Sequence, residues 1–415
     1  MRARRPDHQR RWPGRGSGLT TVPRTLRAVA LGDLPVVEVV ALVEAALDGS
    51  GDALLPLPPD IAGARALDAF EPGTALLPGE DDDTDPTALV LATSGSTGPP
   101  KGALLQGSAL KASATATHAR LGGPGTWLLA LAPHHVAGIQ VLVRSSLAGT
   151  VPEVVDLTHG FATDDFVRST DALLRRADGR RYTALVPTQL LRLLDAGPAA
   201  VAALTSYDGV LVGAAATPPA LLARGHAAGI RLVTTYGMSE TCGGCVYDGT
   251  PLDGVEVALQ DDRVLLGGPV VARGYRLRPD TDAFVERDGR RWFCTDDLGE
   301  LVDGRLHVTG RADDVIVTGG LKVSPGAVES VVVGLPEVSE CVVVGVPDAE
   351  WGQSVVAVIV PMHLKTVALQ QVRAAVTAAL GSAAAPRRLV VVDRLPLRGP
   401  GKPDRAAAAT LVSGD

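Results

Sequence analysis

From residue 88 to about residue 310, short apolar runs alternate with stretches of helical period. Strands are expected over 88–92, 183–186, 209–212 and 230–234, with helices over 188–195 and 218–228. Parallel neighbours need a long crossover, so this alternation requires parallel-type sheets covered by helices, with ligands beyond the carboxyl ends of the strands. After Tyr236 the pattern changes. Gln260-Asp261-Asp262, Asp288-Gly289 and Asp303-Gly304 are turn signals between short alternating strands, which predicts a β-rich subdomain. The tail predicts helices over 325–333 and 367–380 and strands over 340–346, 354–360 and 388–392, a compact α+β unit. Upstream, the spacing over 35–48 predicts a helix, and the acidic, Pro-rich run 78–86 a surface loop.

At 415 residues and 46 % hydrophobic, the chain can bury more than one core. The fold expected is α/β: a large N-terminal domain over 22–312, then a small α+β domain over 313–415. Residues 1–21, rich in Arg, Gly and Pro, have no apolar periodicity and read as a disordered tail or an early start codon. A net charge of -7 removes the cationic field that nucleic acid needs as a partner. No apolar run approaches the roughly 18 residues of a membrane-spanning helix. Four cysteines without a signal peptide favour a reducing, cytoplasmic setting. Cys242 and Cys245 have a metal-like or redox-like spacing but no second pair, and read as structural. The clusters 382–385 and 406–409 read as compositional alanine. The sequence is compatible with a homo-oligomer and carries no sign of subunit number.

Arginine supplies 34 of the 39 basic residues, so each of the five lysines marks a place where a compact ammonium could be needed. One of them closes Thr93-Ser94-Gly95-Ser96-Thr97-Gly98-Pro99-Pro100-Lys101-Gly102. Glycines here free consecutive N–H groups, hydroxyls add donors and Lys101 adds charge, a set suited to a polyphosphate. It is not a Walker A loop, because Lys101 precedes Gly102 and follows two prolines. No Gly-x-Ser-x-Gly elbow and no His-Glu-x-x-His motif is present, which leaves a serine hydrolase or zinc peptidase without support.

This run resembles the phosphate loop of the adenylate-forming superfamily, which includes acyl-CoA synthetases, adenylation domains and luciferases. Further motifs of that family follow in order from residue 88 to the end. Thr234-Thr235-Tyr236-Gly237-Met238-Ser239-Glu240-Thr241 resembles its second nucleotide motif. The resemblance implies that Tyr236 packs on adenine, that Thr235, Gly237, Met238 and Ser239 line the nucleotide, and that Glu240 holds Mg²⁺; the alternative for Glu240 is a surface helix cap. Gly213, Ala214 and Ala215 match the Gly-rich strand end that leaves room for adenine and acyl group. Trp292-Phe293-Cys294-Thr295-Asp296-Asp297-Leu298-Gly299 looks like the ribose motif, usually with Gly in place of Asp296. It implies ribose binding by Asp297, with Arg311 nearby and Asp313 as the hinge. Thr318-Gly319-Gly320-Leu321-Lys322-Val323 resembles the loop that meets the thiol of coenzyme A, or else is a plain β-turn. Lys402, in Gly401-Lys402-Pro403, matches the family lysine that reaches the active site during adenylation. The resemblance thus implies an AMP-forming ligase that uses ATP, Mg²⁺ and coenzyme A on a small-molecule carboxylic acid.

Within the family, 133–145 and 244–254 look most like the o-succinylbenzoate–CoA ligase branch of menaquinone biosynthesis. Its substrate is a keto dicarboxylate, one carboxylate of which stays ionised. Arg144 is the candidate cation for it, or an Arg that snorkels to the surface. His135 matches a family His lining the acyl pocket, or is a satisfied core His. An aryl- or fatty-acyl-CoA ligase is the rival; a carrier-loading adenylation domain and a non-catalytic nucleotide-binding protein stand further off.

Overall fold

The computed structural model describes residues 24–59, 61–93, 100–176, 178–279, 281–362, 365–398 and 402–413. The expectation for residues 1–21 lies outside them.

The first sheet runs β1 (Leu26–Val29), β2 (Ala53–Pro56), β3 (Thr87–Thr93) and β4 (Lys101–Gln106). β1 to β3 are parallel, but β4 returns antiparallel to β3. The motif of the expected phosphate loop therefore begins at the end of one strand and ends at the start of an antiparallel one, with residues 94–99 outside the described residues. Helices α1 (Val36–Leu47), α2 (Ile61–Phe70) and α3 (Gly107–Leu121) accompany this sheet.

The second sheet is built from β5 (Thr126–Leu129), β6 (Glu153–Val154), β7 (Arg181–Leu185), β8 (Gly209–Val212), β9 (Leu232–Met238), β10 (Gly243–Tyr247) and β11 (Thr250–Pro251). Its order is β11-β10-β9-β8-β7-β5-β6. β6 to β9 form its parallel part, and β10 and β11 add an antiparallel edge. α4 (Val136–Leu147) packs between the two sheets in a core that includes Val43, Leu89, Leu110, Trp127, Ile139 and Val143. α5 (Thr163–Arg176), α6 (Pro187–Asp195), α7 (Pro198–Thr205) and α8 (Pro219–Ala227) cover the opposite face. Both faces being buried, β8 reads as an unbroken apolar run, while the buried Thr183 of β7 donates its hydroxyl to the Leu128 carbonyl at 3.1 Å.

The third sheet is antiparallel: β12 (Glu256–Gln260), β13 (Arg263–Gly267), then, past β14 (Gly274–Tyr275), β15 (Phe284–Arg287), β16 (Arg290–Val302) and β17 (Arg305–Arg311). Asp261, Asp262, Asp288 and Asp303 have positive φ at the three turns expected from sequence. β14 leaves this region to pair with β4 at the edge of the first sheet.

The remaining sheet holds β18 (Ile316–Thr318), β19 (Leu321–Val323), β20 (Val338–Asp348), β21 (Gly352–Pro361) and β22 (Arg388–Val391). α9 (Pro325–Val333) and α10 (Leu369–Leu380) pack on one face; β23 (Leu397–Arg398), β24 (Lys402–Pro403) and α11 (Arg405–Ser413) complete the chain. The alanine clusters are not merely compositional, a correction to the sequence reading. Ala384 and Ala385 are buried under α10, and Ala408 anchors α11 to the sheet's second face. Small side chains let backbone approach a Val-rich sheet closely, and alanine is the best helix former.

Candidate active site

The site forms where the carboxyl ends of β8 and β9 meet β3, β4, β14 and the end of β16. Thr93 and Lys101 face each other across the β3–β4 pair. Ser94, Gly95, Ser96, Thr97 and Gly98 lie outside the described residues. At the end of β8, Gly213 lies so close to β9 that a Cβ there would overlap Thr235 Oγ1. Ala214 has a φ of 67°, a left-handed conformation that costs a non-glycine residue about 1 kcal/mol or more. Thr235, Tyr236, Gly237 and Met238 lie on β9.

A 3-10 turn, Ser239–Thr241, follows β9 directly and buries Glu240, which is 7 % exposed. Glu240 is thus not a surface cap. The Ala272 N–H donates to the Glu240 carbonyl at 2.8 Å, and the Tyr275 hydroxyl donates to its Oε1 at 2.8 Å. Burial pushes the Glu240 carboxyl above its usual range, opposed by the Tyr275 hydrogen bond and the charge of Lys101. Among the described residues no group of three or more His, Cys, Asp and Glu could hold a metal by itself. One buried carboxylate beside the Lys101 ammonium is the donor set that suits Mg²⁺, which keeps waters and shares its shell with substrate phosphates.

Across the site, the Tyr236 hydroxyl donates to Asp297 Oδ2 at 2.7 Å, and Arg311 Nη1 donates to Asp297 Oδ1 at 3.4 Å. Burial raises the Asp297 carboxyl; Tyr236 and Arg311 oppose the rise. Arg311 also grips Asp313 with both prongs, Nε to Oδ1 at 2.8 Å and Nη2 to Oδ2 at 2.9 Å. That fork raises the Arg311 guanidinium further. Asp296 is exposed and faces Arg263 and Arg311, each at 3.7 Å.

His135 is half-buried at the N-terminus of α4, its ring 4.4 Å from that of His134. Arg144, two turns further on, does not snorkel: it is 3 % exposed, and its guanidinium lies 5.0 Å from the Trp127 ring. Nη2 donates to the Tyr247 hydroxyl at 3.3 Å; Tyr247 meets Thr117 Oγ1 at 2.9 Å, and Thr117 donates to the Ser113 carbonyl at 2.9 Å. Arg144 Nε, His118 Nε2, Trp127 Nε1 and Ser145 Oγ have no hydrogen-bond partner among the described residues. Burial, then the charge of Arg144, pull the His118 imidazole down to about 4, so it is neutral. A buried cation thus sits among unused donors with no carboxylate beside it among the described residues.

Gly319, Gly320 and Lys322 sit on the exposed β18–β19 hairpin. Gly319 and Gly320 have φ of 56° and 79°, the left-handed pair of a two-residue hairpin turn. The described hydrogen bonds do not join them to the cluster around Glu240 and Asp297. The backbone of Lys402 pairs with Arg398 in the β23–β24 hairpin; its side chain lies outside the described residues. Cys242 and Cys245 are fully buried free thiols, and burial pushes Cys245 up to about 12. Tyr275 was not singled out from sequence. No local motif marks it, because its partner Glu240 lies 35 residues away in sequence.

Two family models match, the AMP-binding enzyme over residues 31–281 and the AMP-binding enzyme C-terminal domain over 327–402. A probable 2-succinylbenzoate–CoA ligase of Mycobacterium tuberculosis is 49 % identical over 346 residues, 82 % of this chain and 88 % of that protein. The o-succinylbenzoate CoA synthetase of Bacillus subtilis, in complex with the acyl-adenylate OSB-AMP, superposes with a TM-score of 0.68 at 25 % identity, over 92 % of this chain and 82 % of that one. ATP-bound MatB of Rhodopseudomonas palustris superposes with a TM-score of 0.78, over 95 % of this chain and 90 % of that one; at 23 % identity this is a likeness of fold.

Proposed function

This chain belongs to the AMP-binding enzyme family, and from that premise we propose that it is an ATP-dependent 2-succinylbenzoate–CoA ligase. The observation that carries the substrate is Arg144. A guanidinium buried without a counter-ion is costly, and a ligand that brings a second, unreacting carboxylate supplies one. The face of α4 that carries Gln140 and Arg144 packs against β10, so the acid enters with its remote carboxylate towards Arg144 and its reacting carboxylate towards the phosphate hairpin. Benzoate and fatty acids offer no such charge. The relatives' names point the same way.

In the first half-reaction an oxygen of the substrate carboxylate attacks the α-phosphorus of ATP, the bond to the β-phosphate oxygen breaks and pyrophosphate leaves. Glu240 and Lys101 hold the polyphosphate, Asp297 accepts from the ribose hydroxyls, and Tyr236 packs on adenine. Mg²⁺, when bound, neutralises phosphate charge. Lys402 meets the charge developing at the α-phosphoryl group. In the second half-reaction the thiol sulfur of coenzyme A attacks the acyl carbon, the bond to AMP breaks and the thiol proton is released. We assign the Gly319-Gly320 turn and Lys322 to the approach of that thiol, and Asp313 to the hinge between 22–312 and 313–415 that exchanges the two arrangements. His135 lines the acyl entrance. No described helix is long and apolar enough to cross a membrane, and we place the reaction in the cytoplasm, as a step of menaquinone biosynthesis.

The test is substrate choice. With ATP, Mg²⁺ and coenzyme A, 2-succinylbenzoate should give an acyl-CoA, AMP and pyrophosphate. Far better turnover of benzoate or a medium-chain fatty acid would sink the assignment of the acid and leave the family chemistry intact.

A further inference from the structure

The two charged groups of the phosphate site that the structure describes, Lys101 and Glu240, rest on one side chain. The Tyr275 hydroxyl donates to Glu240 Oε1 at 2.8 Å, and the Lys101 ammonium lies 5.3 Å from the centroid of the same ring. The ring is held from behind. It meets Phe284 edge-on at 5.1 Å, and Phe284 lies 5.1 Å from Phe293 on β16. Its backbone is pinned too: β14 pairs with β4 opposite Ala103, and the Arg276 N–H donates to the Gly102 carbonyl at 2.7 Å. Arg276 in turn is buried against Glu80 and donates to Thr74 Oγ1 at 2.7 Å. Tyr275 thus has no freedom to follow the carboxylate; the carboxylate must follow Tyr275.

We propose that Tyr275 is a positioning residue for the metal-nucleotide site, fixing the rotamer of Glu240 by its hydroxyl and seating Lys101 on its ring face. The phenol occupies Oε1 of Glu240, and the Thr93 hydroxyl is a second hydrogen-bonding neighbour of the carboxylate, one that belongs to the β3–β4 pair and not to the rigid β14. The hydroxyl contributes orientation to the metal side, the ring a cation–π seat to the lysine. The inference rests on reading Glu240 as the metal-holding carboxylate.

Tyr275→Phe removes the hydroxyl and keeps the ring, so calorimetric titration of ATP with and without Mg²⁺ separates the two functions. The expected result is about tenfold weaker MgATP binding, the loss of one hydrogen bond to a charged group, with metal-free ATP binding unchanged. Tyr275→Leu removes the ring as well and should weaken metal-free ATP binding too. Glu240→Gln is the control for the underlying reading. If Glu240→Gln impairs MgATP binding and Tyr275→Phe does not, the positioning role is overturned while the metal reading stands. If neither impairs it, the metal reading falls and takes the inference with it. The acid plays no part in these measurements, so its identity is not at stake.

Discussion

Tyr236 and Asp297 are joined by a 2.7 Å hydrogen bond that ties the end of the parallel sheet to the antiparallel sheet. If the proposed roles hold, the phenol that packs on adenine also orients the carboxylate that takes the ribose. An acceptor for the ribose diol has one lone-pair position already used, and its orientation is fixed. Tyr236→Phe keeps the ring but frees Asp297 to rotate. The expected outcome is a roughly tenfold rise in the KM for ATP, the magnitude of one hydrogen bond to a carboxylate, with the KM for the acid unchanged. Steady-state titration of each substrate checks it.

Asp297 also sets a pH dependence. Its carboxyl is raised by burial, so the folded protein holds that proton more tightly than the unfolded chain. The stability this group contributes is therefore present below the ordinary carboxylate value of about 4 and lost as pH rises through the raised value. Ribose binding runs the other way, because it needs the ionised form. ATP affinity should fall on acidification, beginning above that ordinary value, whereas Asp297→Asn should bind weakly with no such fall. A wild-type profile flat down to the ordinary value would refute the assignment.

Arg144 gives a prediction of opposite signs. Arg144→Leu removes a buried cation that has no carboxylate beside it among the described residues, so the thermal midpoint should rise. The KM for a dicarboxylate should rise about a hundredfold, while ATP affinity stays nearly constant. Equal loss for both ligands, with a lower midpoint, would mark Arg144 as structural.

Legibility from sequence followed the physics of each element. β8 was readable to the residue because both its faces are apolar and Asp208 and Gly213 bracket it. α9 was readable because Ser324 caps it and Pro325 opens it. α3 was not, since Ser113 and Thr117 lie on its buried side and pair with backbone and Tyr247, which erases the apolar stripe. The antiparallel turn-back of β4 was also invisible: pairing direction depends on where the loop sends the chain, which the apolar pattern does not encode. Among candidate site residues, contiguous motifs pointed to Tyr236, Glu240, Asp297 and Arg311, which the fold places in two hydrogen-bonded clusters. Tyr275 and Tyr247 were not legible, because their partners lie 35 and 103 residues away in sequence.

The Arg276–Glu80 pair beneath the site is a stability test. Both side chains are buried, and Glu80 also takes the Leu77 N–H at 2.9 Å and the Leu277 N–H at 2.6 Å. Arg276→Met leaves a buried carboxylate short of its charge partner and should cost about 3 to 5 kcal/mol. Adding Glu80→Gln should recover part of that loss. Denaturant midpoints of the two single variants and the double variant give the coupling; strict additivity would show that the pair does not interact.

The proposed division of labour between half-reactions turns on Asp313 acting as the hinge. Arg311 clamps Asp313 on one side, and Arg405 donates to Asp314 at 2.9 Å on the other, so rotation about this segment must release or carry both contacts. Lys402 lies on the β23–β24 hairpin and Gly320 at the tip of β18–β19, and the proposal assigns each to a different half-reaction. Lys402→Ala should abolish adenylate formation, by about a hundredfold or more, yet still convert supplied acyl-adenylate and coenzyme A to thioester. At Gly320 an added Cβ meets nothing within 4 Å, so a larger side chain there does not disturb its own domain, although the positive φ of 79° carries a modest strain. Gly320→Leu should therefore fold, form adenylate and fail at thioester formation, where its side chain would obstruct the thiol. Pyrophosphate exchange reads the first step, and thioester release from supplied adenylate reads the second. Loss of both steps in folded Lys402→Ala, or of neither in Gly320→Leu, would overturn the rotation.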